Sequence, residues 1–268
     1  MTAFYHFDEP KLPPELEEKI FIQAIDDNFS DVPNIILVAK RVHHWLIPHI
    51  FNVVLLHEDK SFPVKFNLPT FQRYAKHIRH LSLDDPIVVQ HLPLFTDVTN
   101  LVLWQELKPP ELEILLTFNH LTHLSVTVND IQPSPVYFSL FRKVTHLDLI
   151  SSCTNWPLAS TLIIFPLLTH LCILRGINTD VLKLFLDRNR CRNLKVVIVW
   201  GSAGTLNKTF VSPKKARRQL PAEDERLLNV LCHDMEEDWK TGARGGDDMW
   251  RVADRYLASA SPSDLTEV

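Results

Sequence analysis

His123, His146 and His170 stand in nearly the same words, LTHLSV, VTHLDL and LTHLCI. Imidazoles in a row are a chemistry to be tested first. As zinc ligands they would hold the metal at roughly 2.0–2.1 Å, and on adjacent strands they would follow one another at roughly 4.8 Å per step. Ligation needs further donors, however. Neither an H-E-x-x-H pair nor a C-x-x-C pair accompanies them, and Asp148 is the only acid at the neighbouring position of the repeated words. The other sources of catalysis are also missing from the pattern. Gly201-Ser202-Ala203-Gly204 has neither phosphate-loop spacing nor a nucleophile elbow, and His233 beside Cys232 cannot converge with it on one helix face. The residues predict a repeated polar face on a non-catalytic protein, with no metal and no cofactor.

The elements that must position those histidines recur along the chain. Apolar residues at positions one, four and six appear as Ile78/Leu81/Leu83, Val98/Leu101/Leu103, Leu121/Leu124/Val126, Val144/Leu147/Leu149, Leu168/Leu171/Ile173 and Leu194/Val197/Val199. Successive units begin 20 to 26 residues apart, and Ile50/Val53/Leu55 is a weaker earlier copy. An L-x-x-L-x-L unit at that period is the signature of a leucine-rich repeat. Alternate residues of a strand share a face, so positions four and six are expected in the core and positions three, five and seven on an open concave side. That side would offer His80, His123, His146 and His170 at position three, with Asn100 in the same slot. Asp148 falls at position five, and Trp104 and Trp200 at position seven. His80, Trp104, His123, His146, Asp148, His170 and Trp200 are therefore the candidate substrate-binding residues, the tryptophans as anchors because aromatic side chains dominate many interfaces. On this register His123→Ala or His146→Ala should cost little, whereas Leu124→Ala or Leu147→Ala should cost about 2–5 kcal/mol.

Between the strands, Leu68–His77, Pro109–Phe118 and Asn178–Arg188 carry helical spacing and start signals. Near the end, Leu227, Leu231, Met235 and Trp239 recur every fourth residue, and Met249, Trp250, Ala253, Tyr256 and Leu257 mark a second helical face beyond Gly242, Gly245 and Gly246. A solenoid exposes the apolar end of its last coil, so this helix pair is expected to cap it. The fold class expected is α/β: a leucine-rich-repeat-like solenoid of short parallel strands with helices or loops on the convex side, N-terminal helices and C-terminal capping helices. Its divisions are an N-terminal helical segment (1–48), the solenoid (49–204), a basic linker with Lys214–Arg218 (205–222) and the C-terminal cap (223–268).

The chain of 268 residues has a net charge of −4 and a pI of about 6.3. No global field draws it to nucleic acid or membrane. Cys153, Cys172, Cys191 and Cys232 are far apart, which favours reduced thiols in the cytoplasm or nucleus. MTAFYHFDEP has acids where a signal peptide needs a basic end, and Pro166, Thr169 and His170 interrupt the most apolar stretch, Leu158–Leu174.

Ahead of the repeats, LPPELEEKIFIQAI predicts an amphipathic helix with Leu16, Ile20, Phe21 and Ala24 on one face. PNIILVAKRVHHWLIPHIF is a second apolar segment, and Asp26, Asp27, Asn28, Phe29 and Pro33 should break the helix between them. Leu12, Pro13, Glu15, Leu16, Ile20, Phe21, Leu37, Val38, Lys40, Arg41 and Trp45 together resemble the F-box pattern, and the whole chain resembles fungal F-box-like proteins with irregular leucine-rich repeats. Val42 departs from the pattern by taking the place of its tryptophan, and Trp45 follows three residues later. The resemblance implies that Leu12, Pro13, Leu16, Ile20, Phe21, Leu37 and Val38 meet the Skp-type adaptor of a cullin-based (SCF) ubiquitin ligase. It also implies that the repeats hold a protein substrate. The alternative is a stand-alone repeat scaffold whose N-terminal helices only cap the array, with Leu16, Ile20 and Phe21 buried.

Overall fold

The structure, a computed structural model, describes residues 12–57, 61–63, 67–84, 86–106, 113–127, 139, 142–150, 165–174, 179–188, 191–202, 209–211, 224, 226–232 and 234–259. The chain forms two compact units, Met1–Asn52 and Val53–Val268.

In the first unit, helix α1 (Pro14–Asp27) starts with proline in its first turn, where a missing N–H costs nothing. Glu15 and Glu17 there complement the helix dipole. Asn28 ends α1 and its side chain accepts from the Ser30 N–H, which starts a 3-10 turn, Phe29–Asp31, and the short helix α2 (Val32–Ile35). The expected break is therefore present, built by a turn-forming asparagine and Pro33. Helix α3 (Lys40–Ile50) buries Val42, Leu46 and Ile50, one stripe at four-residue spacing. Arg41 Nη2 donates to Glu17 Oε1 at 2.7 Å, and His49 Nε2 lies 2.7 Å from Asp26 Oδ1, so two polar contacts tie α3 to α1.

The second unit is one sheet with its connections. In chain order its elements are β1 (Val53–Leu56), β2 (Ser61–Phe62), α4 (Leu68–Tyr74), β3 (His80–Leu83), α5 (Pro86–Val89), β4 (Asn100–Glu106), β5 (His123–Thr127), β6 (His146–Leu149), β7 (His170–Leu174), α6 (Thr179–Leu186), β8 (Val196–Ser202), β9 (Thr209–Val211), β10 (Leu227–Cys232), α7 (Met235–Ala243) and α8 (Met249–Ser259). The strands lie in the order β2-β1-β3-β4-β5-β6-β7-β8-β10-β9. Among the described residues, all neighbours from β1 through β8 to β10 are parallel, and only the edge strands β2 and β9 pair antiparallel. The result is an open, mixed α/β arrangement.

Register follows the repeated words. His80 pairs with Asn100, Asn100 with His123, His123 with His146, and His146 with His170. The residues at positions one, four and six of all six strong units are buried, none more than 5% exposed. The weak first unit slips by one residue: Val53, not Asn52, pairs with His80. Ile50 belongs to α3, so the strand has to begin later than the apolar spacing suggests.

Two further expectations change. Leu227–Cys232 is a strand and not the start of a helix, because β8 presents an open edge that it completes, Leu227 opposite Val197. The remaining helices, α7 and α8, lie against the inner face of the sheet rather than only at its last coil. Trp239 and Ala243 pack on Val53 and Leu55 of β1, while Met249 and Ala253 join Cys172, Ile198, Trp200 and Leu228 in one cluster. Lys214–Arg218, and the linker apart from β9, lie outside the described residues, as do Pro109–Leu112 and Asn178 of the helix candidates.

Candidate functional site

Each histidine of the row is set by the threonine before it. Thr99, Thr122, Thr145 and Thr169 donate their hydroxyls to the backbone carbonyls of Arg79, Thr99, Thr122 and Thr145, at 3.1, 3.2, 3.2 and 3.0 Å. The same oxygens of Thr122, Thr145 and Thr169 lie 2.9, 2.9 and 2.8 Å from Nδ1 of His123, His146 and His170. A hydroxyl has one proton, so both contacts are hydrogen bonds only when Nδ1 carries a proton and donates. That fixes ring orientation and leaves Nε2 of His123 and His146 as lone-pair acceptors. The rings stack with centroids 3.9 Å apart (His123–His146) and 4.1 Å apart (His146–His170). Trp250 of α8 meets His146 and His170 edge-on, at 5.5 and 5.7 Å.

The expectation that positions three and five face water is corrected here. His170, Asp148 and Trp200 are buried, and His80, His123, His146 and Trp104 are half-buried. The physical reason is the apolar face of α7 and α8, which needs a partner and finds it on this side of the sheet. Gly242 permits the close turn between the helices, since a Cβ there would stand 2.2 Å from Asp248 Oδ2, and Gly245 supplies the positive φ of 85°. Trp239 Nε1 donates to Asn100 Oδ1 at 2.9 Å, Met249 N donates to Asp238 Oδ2 at 3.0 Å, and His170 Nε2 faces Asp254 Oδ1 at 3.0 Å.

A cavity of about 30 Å³ remains between the sheet and the helices. From the sheet His123, His146 and Asp148 line it, and from the helices Asp238, Trp239 and Trp250. Asp148 is fully inside, and its Oδ1 has no hydrogen-bond partner among the described residues. Burial pushes its carboxyl up to about 7; the Asp238 charge adds to the rise, and hydrogen bonds from Cys172 and Ser125 oppose it. Burial also pushes the imidazoles down, His80 to about 4, His123 to about 4 with His80 and His170 contributing, and His146 to about 2 with His123, His170 and Lys195 contributing. Among the described residues no group of three His, Cys, Asp or Glu is placed to hold a metal ion.

A second polar chain runs through this face. Trp104 Nε1 donates to Ser82 Oγ at 2.9 Å, Ser82 Oγ lies 3.1 Å from His57 Nε2, and His57 Nδ1 lies 3.4 Å from Glu236 Oε2 of α7. The bond order is that of a hydrolase triad. Ser82, however, is 0% exposed, and the tryptophan N–H already occupies its oxygen, so no substrate carbonyl has an approach. Sequence reasoning missed this chain because its members lie far apart and Ser82 and His57 belong to different repeats. It also missed the threonine ladder, whose signal was present in the repeated pair Thr-His.

The first unit carries a surface of another kind. Leu12, Leu16, Ile20, Leu37 and Val38 are 45%, 48%, 54%, 80% and 64% exposed. Pro13 is exposed beside them, while Phe21 is half-buried. Among the described residues no helix is long and apolar enough to cross a membrane. Compared with known protein families and with curated proteins, the chain matches none.

Proposed function

We propose that the chain is a non-catalytic, F-box-like substrate receptor: its N-terminal helices dock on the Skp-type adaptor of an SCF ubiquitin ligase in the cytoplasm or nucleus. Val53 onward is then a leucine-rich-repeat-like solenoid that engages a protein target. The observation that carries the reading is the exposure of Leu12, Leu16, Ile20, Leu37 and Val38. A folded unit with α1 and α3 packed together buries its apolar side chains when it can, and large apolar residues left outside point to an interaction surface. They are five of the seven residues that the F-box resemblance assigns to the adaptor. The stand-alone scaffold reading expects Leu16, Ile20 and Phe21 buried; Leu16 and Ile20 are exposed and Phe21 is half-buried, which favours the receptor reading. Target contacts, on this reading, fall to the half-buried His80, Trp104, His123 and His146, whereas the buried Asp148, His170 and Trp200 reach a target only when α7 and α8 lift.

Co-purification with the Skp adaptor tests it, comparing wild type with a Leu16→Asp/Ile20→Asp double variant. Both side chains already face water, so the circular dichroism spectrum should be unchanged and the stability should stay within about 1 kcal/mol of wild type, about 0.5 kcal/mol per substitution. Adaptor binding should fall below detection. A wild-type chain that never retains the adaptor rejects the reading in favour of a stand-alone repeat scaffold.

A further inference from the structure

We propose that the cavity between the sheet and α7/α8 binds a primary ammonium group, the head of a lysine side chain or of a free alkylamine. The inference stands whether or not the N-terminal helices dock the adaptor.

Acceptors converge on the cavity, and the hydrogen bonds from Cys172 and Ser125 leave Asp148 Oδ1 unpartnered among the described residues. Asp148 lines it with an Oδ1 that has no partner among the described residues, and the residue is only 4% exposed. Such a group is costly unless something donates to it. Asp238, 4% exposed, lines the same space and interacts with Asp148 through its charge. The threonine ladder leaves His123 and His146 with Nε2 as an acceptor, and both rings line the cavity. An ammonium offers three N–H donors, no acceptor, and a positive charge for two carboxylates.

Size and walls narrow the choice. The space between sheet and helices admits a –CH2–NH3+ end. Trp200, Trp239 and Trp250 supply aromatic surface, which attracts a cation and accommodates the methylenes behind it. A divalent metal is disfavoured because no three ligating side chains are suitably placed among the described residues. Neutral water also donates to Asp148 Oδ1 but brings no charge to balance a carboxylate.

The probe is n-butylammonium chloride added to the full chain, with Tm and tryptophan fluorescence read against equal sodium chloride plus n-butanol. Expected is a saturable rise in Tm with a matching fluorescence change. In D148N the apparent Kd should weaken at least tenfold. That variant keeps the side-chain shape and removes the carboxyl, so it should fold; its own Tm without amine verifies this, and both proteins are read at pH 8, above the pKa of about 7 at Asp148. D27N, altered at an exposed residue of α1, should bind as wild type does. Equal binding by wild type and D148N, or no saturable response in wild type, overturns the proposal and leaves a water-filled cavity. Nα-acetyl-lysine methylamide then separates the sources. Binding as tight as butylammonium assigns the head to a protein lysine, whereas butylammonium binding alone assigns a free amine.

Discussion

At the scale of single residues, the inner face sets imidazoles and a carboxylate against each other. His123 and His146 have folded pKa values below the unfolded value, so their contribution is full above about pH 6.5 and is lost as pH falls toward about 4 for His123 and about 2 for His146. Asp148 has the opposite sign. Its folded pKa is raised to about 7, so its contribution is full below the unfolded carboxylate value and is lost as pH rises through 7. Between pH 7 and 5.5 the two slopes oppose. Removing the carboxyl in D148N should therefore steepen acid destabilisation by about 1.5 kcal/mol over that interval, since one proton is worth about 1.4 kcal/mol per pH unit. Urea melts of both proteins at the two pH values measure it; parallel slopes would show that Asp148 is ionised in the folded protein throughout. The little cost expected for His146→Ala is likewise revised, because the ring is stacked between two others and under Trp250.

At the scale of elements, two ladders hold each strand to the next and should differ in weight. Leu147 fills the continuous core at position four and is 0% exposed; Leu147→Ala should cost about 2–5 kcal/mol. Thr145→Val keeps the volume and removes the hydroxyl bridging Thr122 O and His146 Nδ1, so about 1 kcal/mol is expected. Denaturant midpoints of the two variants check the order, and a reversal would place the stability in the polar ladder. The strand register was legible because positions one, four and six report burial directly, and the same residues are the buried ones. The cover was not legible. Position three reads as polar whether it faces water or a tryptophan, and Trp250 lies 80 residues beyond His170. Leu227–Cys232 failed for a different reason. Its apolar run fits a strand and a helix equally, and the open edge of β8, a tertiary fact, decides between them. The N-terminal pattern gave the helices and their break, and the exposure of Leu16 and Ile20 became visible only when α1 and α3 packed.

At the scale of the whole molecule, the question is whether the inner face of the second unit ever opens. α7 and α8 hold it with an apolar cluster under Met249 and Ala253 and with a few polar contacts, among them Trp239 to Asn100 and Asp254 to His170. Cys172 is 0% exposed and belongs to that cluster, so its thiol reacts only when the cover lifts or the sheet unfolds. Cys191, 4% exposed, lies ahead of β8 and outside the cluster, and reports unfolding of the array itself. Alkylation of the native full chain, read peptide by peptide by mass spectrometry, compares the two. Trp250→Ala removes the edge-on ring contacts, worth about 0.5–1.5 kcal/mol beyond area, and should speed labelling of Cys172 by roughly tenfold or more. If the cover opens by itself, Cys191 keeps its wild-type rate, because local opening exposes only what the opening segment covers. A common acceleration of both thiols would mean that cover and sheet unfold as one body. Targets of the proposed receptor would then have to bind outside the cover, because no opened inner face would be available to them.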